Sequence, residues 1–169
     1  LILAALHKLT FISVHTLYFQ ILSPIIALLI GIFSYKFVKV WTKDKLNAFW
    51  STFFVYFGGG LGWIVTYLRN NEIAGESVFW SQQSISTLIN PPYALSLVFV
   101  FAGLYFLIKG MEEKDKKKLT VATILFGILI QIKVYAGILV LAGLLVASLW
   151  NLLRRKGTTL FKAFTGSLV

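Results

Sequence analysis

The chain has 169 residues, 58% of them hydrophobic and 13% charged, with a mean hydropathy of +0.83. A soluble domain carries about 45–50% apolar and about 25% charged residues, so this apolar surplus exceeds one water-facing core and points to lipid as solvent. The absence of cysteine excludes disulfides and thiol chemistry, and His7 and His15 lack the companions of a zinc site.

Five apolar segments follow one another along the chain, and the expected fold is an all-α transmembrane helix bundle of about five spans in one domain, residues 1–169. The first covers residues 15–35, with Gln20, Ser23 and Pro24 in its first half. The second, 46–68, contains "FGGGLGW". The third, 93–108, begins after Asn90-Pro91-Pro92, where prolines suit the first turn of a helix. The fourth and fifth, 119–132 and 134–152, divide one long greasy run whose single charged residue is Lys133. A span needs about 20 residues, so the third and fourth are short by that rule. Residues 1–14 and 157–169 read as parts of neighbouring loops or spans. The chain opens at Leu1 and its one methionine is Met111, as expected of a piece of a longer protein.

The net charge is +10, and a basic balance can mark nucleic-acid binding. Here the cations are bunched between apolar segments, which fits membrane topology signals better than a nucleic-acid surface. Lys36, Lys39, Lys43 and Lys45 follow the first segment; Lys109, Lys114, Lys116, Lys117 and Lys118 follow the third; Arg154, Arg155, Lys156 and Lys162 follow the fifth. With these loops in the cytoplasm, the loop around Arg69, Glu72 and Glu76 and the Lys133 junction both fall outside. A single helix over 119–153 would be about 52 Å long and would put its two basic ends on opposite sides, so a fold-back at Lys133 is the better reading.

Lys133 then lies below the outer surface, because the residues 119–132 rise about 21 Å against about 30 Å of hydrocarbon. Such an ammonium either snorkels outward, pairs with Glu72 or Glu76, or meets an anionic ligand in a polar pocket, with Gln131 and Tyr135 as neighbours. The outer loop adds Glu76, Trp80, Gln82, Gln83 and Asn90, groups that hydrogen-bond hydroxyls or stack on a sugar face; they also suit an ordinary solvated loop with Trp80 in the aromatic belt. Glu72 and Glu76 are candidate general bases without a partner to fix the role. The glycine run does not have dinucleotide-binding spacing; Gly58 with Gly62, and Gly143 with Ala147, are small-residue pairs expected to let helices approach closely.

Taken together, "FGGGLGW", "FWSQQSISTLINPPYALS" and "ILIQIKVYAG" resemble the membrane part of bacterial and archaeal GT-C-type glycosyltransferases, polytopic relatives of protein O-mannosyltransferases and aminoarabinose transferases. The resemblance spans most of residues 15–155. It implies an integral, multi-pass plasma-membrane enzyme, membrane lipids as surroundings, a polyprenyl-phosphate sugar donor, and no nucleic-acid partner. It also implies an acidic base in a first outer loop, in some branches with a divalent metal. That loop has no counterpart here, so no catalytic carboxylate and no metal ligand are assigned. Lys133 is matched to a cation facing the lipid phosphate, with Arg69 as a second candidate or an interfacial anchor. A transporter or flippase, or a non-catalytic membrane module, is the alternative.

Overall fold

The computed structural model describes residues 2–58, 62–72, 90–154 and 159–168, and among these there is no strand. Helix α1 is Ile2–Thr10. A π-helical turn, Thr16–Leu22, runs directly into α2, Ser23–Thr42. Pro24 accounts for the wide turn: it lacks an N–H, and its ring crowds the carbonyl one turn back. The Tyr18 carbonyl accepts from both the backbone N–H and the hydroxyl of Ser23, the latter at 2.9 Å. Then come α3, Lys45–Phe57, α4, Gly62–Asn70, α5, Pro91–Glu112, α6, Lys116–Ile132, α7, Val134–Leu153, and α8, Thr159–Gly166.

The caps follow from the sequence. Asp44 accepts from the Leu46 N–H, Asp115 from those of Lys117 and Lys118, and Asn90 from that of Tyr93 at the start of α5. Lys43 and Lys114 take left-handed conformations that reverse the chain before α3 and α6.

Among the described residues three helices are long and apolar enough to cross a membrane, Thr16–Thr42, Pro91–Glu112 and Val134–Leu153, as in an integral membrane protein. The segment expected as one span over 46–68 is divided: α3 stops at Phe57, where Gly58 turns extended, and α4 begins at Gly62. Neither piece has the roughly 20 residues of a crossing. The segment 119–132 lies in α6, whose 17 residues rise about 26 Å.

The interior mixes small and hydroxyl-bearing residues with a few bulky apolar ones, and many other bulky apolar residues face outward. Ala48, Ala122, Ser34, Ser96 and Ser148 are at most 1% exposed, whereas Phe57, Leu139 and Leu153 are over 70% exposed. Water would penalise this arrangement; in lipid, small residues let backbones approach and serine hydroxyls satisfy neighbouring groups. Ser34, for instance, hydrogen-bonds Thr52 across the α2–α3 pair at 3.3 Å. Two apolar clusters hold the bundle. Ile26 and Ile30 of α2 pack on Ala94 and Val98 of α5. Phe126 and Leu129 of α6 pack with Leu107, Leu144 and Ala163.

The glycines that mediate close approach differ from those the small-residue pairs suggested. Gly103 lies under the Phe126 ring, Gly31 under Tyr56, and Gly137 against Ile130. Gly58 caps α3 in extended backbone and Gly62 opens α4, so the two do not share one helix face. A methyl group on Gly143 would meet nothing within 4 Å, so Gly143 mediates no close approach among the described residues.

Helix directions follow from these contacts. Ile26 beside Ala94, Phe33 beside Tyr105 and Lys43 paired with Glu112 make α2 and α5 parallel. Gly103 against Phe126 and Gly110 against Leu119 make α5 and α6 antiparallel. Gly137 against Ile130, with Leu144 in the Phe126 cluster, makes α7 fold back along α6. The ends near Lys43, Glu112, Lys116 and Lys162 therefore gather at one end of the bundle, and Lys133 lies toward the other.

Candidate functional site

Lys133 is the whole connection between α6 and α7. Its backbone is extended (φ −151°, ψ 104°), and it is at once the C-cap of one helix and the N-cap of the next. Its N–H closes the last turn of α6 on the Leu129 carbonyl at 2.8 Å, and its carbonyl opens α7 by accepting from Gly137 at 3.1 Å. A one-residue reversal is possible because Gly137 lets Ile130 lie directly on the first turn of α7.

Its depth can be read from the helix register. Gly103–Phe126 and Gly110–Leu119 place Lys133 level with Ser96, about 7–8 Å below the first residue of α5. It lies about 24 Å from the level of Glu112 at the charged end. The α6–α7 hairpin is thus shorter than the parallel pair beside it, and its apex is set back from their ends.

Lys133 is half-buried, and among the described residues no hydrogen bond or carboxylate reaches its ammonium. The start of α7 has no side-chain cap, so its first N–H groups present the positive end of a 20-residue helix beside that ammonium. The two charges add: the apex is electropositive, and a phosphate or carboxylate fits it chemically.

The other sequence candidates divide. Gln131 is exposed beside Lys133, and Tyr135 is 80% exposed, which suits an interfacial ring and gives it no pocket wall among the described residues. Asn90 caps α5, its side-chain carbonyl oxygen accepting from the Tyr93 N–H at 3.3 Å. Arg69 and Glu72 are exposed at the end of α4 and just beyond it. Glu76, Trp80, Gln82 and Gln83 lie outside the described residues. His7 bonds the Ile12 carbonyl and His15 packs on Phe19. Among the described residues no group of three or more His, Asp or Glu is placed to hold a metal ion.

What the sequence reading missed is the inside of the basic end. Two clefts open there. One is lined by Lys36, Lys39, Lys43, Lys109, Tyr105 and Glu112, the other by Lys114, Lys116, Lys162 and three threonines. The charge runs were visible as topology signals; which lysines face one another depends on helix pairing. Comparison with protein-family models, with curated proteins and with solved structures finds no match for the chain.

Proposed function

We propose that the chain is part of a multi-pass membrane glycosyltransferase that takes its sugar from a polyprenyl-phosphate donor. In this reading the basic end faces the cytoplasm of a bacterial or archaeal cell, in line with the charge rule. The divided α3–α4 segment and the short α6 complete the crossings, giving five in all. Lys133 then opens toward the outer leaflet, where the donor phosphate arrives. The observation that carries the proposal is Lys133, without a carboxylate among the described residues, at the start of α7 with no side-chain cap and set back from the ends of α2 and α5. An unpaired ammonium at that depth costs about 2.5–3.5 kcal/mol on the insertion scale, a cost that an anionic ligand offsets.

The chemistry is a displacement. A base outside the described residues deprotonates the acceptor hydroxyl, which attacks the anomeric carbon as the bond to the lipid phosphate breaks. Negative charge grows on the departing phosphate, and Lys133 with the α7 N–H groups stabilises it. The test is binding of undecaprenyl phosphate to the purified chain, followed by native mass spectrometry. Lys133→Met should weaken binding about tenfold or more, while Lys133→Arg keeps most of it. Equal binding by the Met variant would remove Lys133 from the mechanism.

A transporter or flippase is the second reading, favoured by the break between α3 and α4, since interrupted membrane helices often line transport sites. Proteoliposomes holding a fluorescent polyprenyl phosphate separate the two. Movement of the lipid between leaflets without any sugar acceptor favours the flippase.

A further inference from the structure

The end of the bundle opposite Lys133 carries a second anion-binding feature that the proposed reaction does not use. Between the end of α5, the start of α6 and α8 lies a cavity of about 680 Å³, lined by Lys114, Lys116 and Lys162 over a floor that includes Leu119 and Ala163. None of its lining residues is acidic.

The neighbouring carboxylates are all turned elsewhere. Glu112 pairs with Lys43; Glu113 is held by Lys109 and Lys118; Asp115 caps α6 and contacts Lys118. Lys114, Lys116 and Lys162 have no ion pair among the described residues. The adjoining cleft differs. It has four lysines, but Glu112 lies within it, and Lys43 and Lys109 are already engaged. Two clefts at one basic end are therefore unequal: in one, Lys43 and Lys109 are paired and Lys36 and Lys39 lie over aromatic rings, while the other has three lysines with no ion pair among the described residues.

Depth selects the ligand. From Lys116 to Thr123 the wall rises about 10 Å, comparable to the headgroup layer on one side of a bilayer. The lining combines the three lysines with apolar Leu119 and Ala163, as a lipid headgroup with its first acyl carbons requires. The Thr120 and Thr123 hydroxyls donate to the carbonyls of Lys116 and Leu119, so neither is free to donate to a ligand. Recognition thus rests on three point charges, which suit a phosphate group and are indifferent to headgroup shape.

We propose that this cavity binds the phosphate of an anionic phospholipid in the leaflet at the basic end, clamping α5, α6 and α8 together. It follows that any headgroup with net negative charge is accepted and that zwitterionic lipids are not.

The test uses the whole chain purified in a neutral detergent, with bound lipid read by native mass spectrometry. Phosphatidylglycerol should bind, and phosphatidylcholine should not. The variant Lys114→Asn/Lys116→Gln/Lys162→Gln should lose affinity for phosphatidylglycerol about a hundredfold, at roughly fivefold for each lysine near a membrane surface. Asparagine is chosen at position 114 because it tolerates the left-handed backbone there. Lys36→Gln/Lys39→Gln, in the other cleft, should leave the affinity unchanged. Equal losses in the two variants would mean diffuse attraction to the basic end and would overturn the proposal. So would inorganic phosphate displacing the lipid at equal concentration, because the ligand would then be a soluble anion. Should the triple variant fold poorly by circular dichroism, salt decides on the unsubstituted chain. Phosphatidylglycerol binding must weaken steeply with ionic strength, and salt-insensitive binding overturns the proposal.

Discussion

The two ends of this bundle handle charge in opposite ways. At the basic end, cations are numerous and three of the four acids are spent on them: Glu112, Glu113 and Asp115 each hold a lysine, while Asp44 and Asp115 also cap helices. At the fold-back end a single lysine connects two helices with no cap, no acid among the described residues and no spare loop. The first end can reach water, where ion pairs are cheap to make and worth little. In the proposed topology the second lies within the depth of the hydrocarbon, where each unpaired polar group is costly. Pairing at one end therefore looks after stability, while the absence of pairing at the other leaves capacity for a ligand.

The strongest way to break this contrast is Lys133→Leu. Removing an uncompensated ammonium should stabilise the chain, by up to about 2.5–3.5 kcal/mol, while abolishing binding of polyprenyl phosphate. Thermal unfolding in detergent checks the first half and native mass spectrometry the second. A loss of stability would mean that Lys133 has a structural partner, and the contrast would fail. Next in size is Gly103→Val. The added atoms meet the ring of Phe126, which is fully buried and has nowhere to turn, so a loss of about 1–3 kcal/mol is expected. Gly143→Val is the matched control and should change little, because open space surrounds that position.

Much of the fold was legible because apolar runs and charge clusters obey simple constraints. The fold-back at Lys133 could be read because both ends of the 119–153 run are basic, and the two helices do pack along each other there. The ends of the third span were drawn too short, since Pro91 and Glu112 belong to the helix although they are not themselves good membrane residues. The second segment reads as one continuous run where the chain has two helices: hydropathy does not register the extended backbone at Gly58. Helix contacts were the least legible. Gly143 and Gly103 look alike in sequence, and only the position of Phe126 tells them apart. For the site, Asn90 has the same composition signal whether it meets a sugar or caps a helix; the deciding feature is its place two residues before Pro92 and three before the Tyr93 N–H it accepts from.

That distinction can be sharpened by Asn90→Ala. Loss of a cap should cost about 1 kcal/mol and leave affinity for polyprenyl phosphate intact, while Asn90→Asp should preserve both. A drop in affinity without a drop in stability would return Asn90 to the binding site and extend the recess at the fold-back end.

The smallest expected effect tests the other end. Hydrogen bonds from Lys109 and Lys118 hold the Glu113 carboxyl down to about 2, against an ordinary value of 4.5. Because the folded-state value is the lower one, this carboxylate contributes stability that is fully present above about 4.5 and lost as the pH falls through about 2. The chain should therefore lose a little thermal stability across that acid window, and Glu113→Gln should flatten the loss. The group is exposed, so salt screens the interaction, and the difference between the two proteins should shrink in high salt. Lys133 offers the contrast: with no carboxylate to titrate beside it among the described residues, the fold-back should show no matching change over the same range. A transition of equal size at the fold-back, followed by hydrogen exchange of the α7 amides, would mean that an acid does face Lys133, and the two ends would then differ in degree rather than in kind.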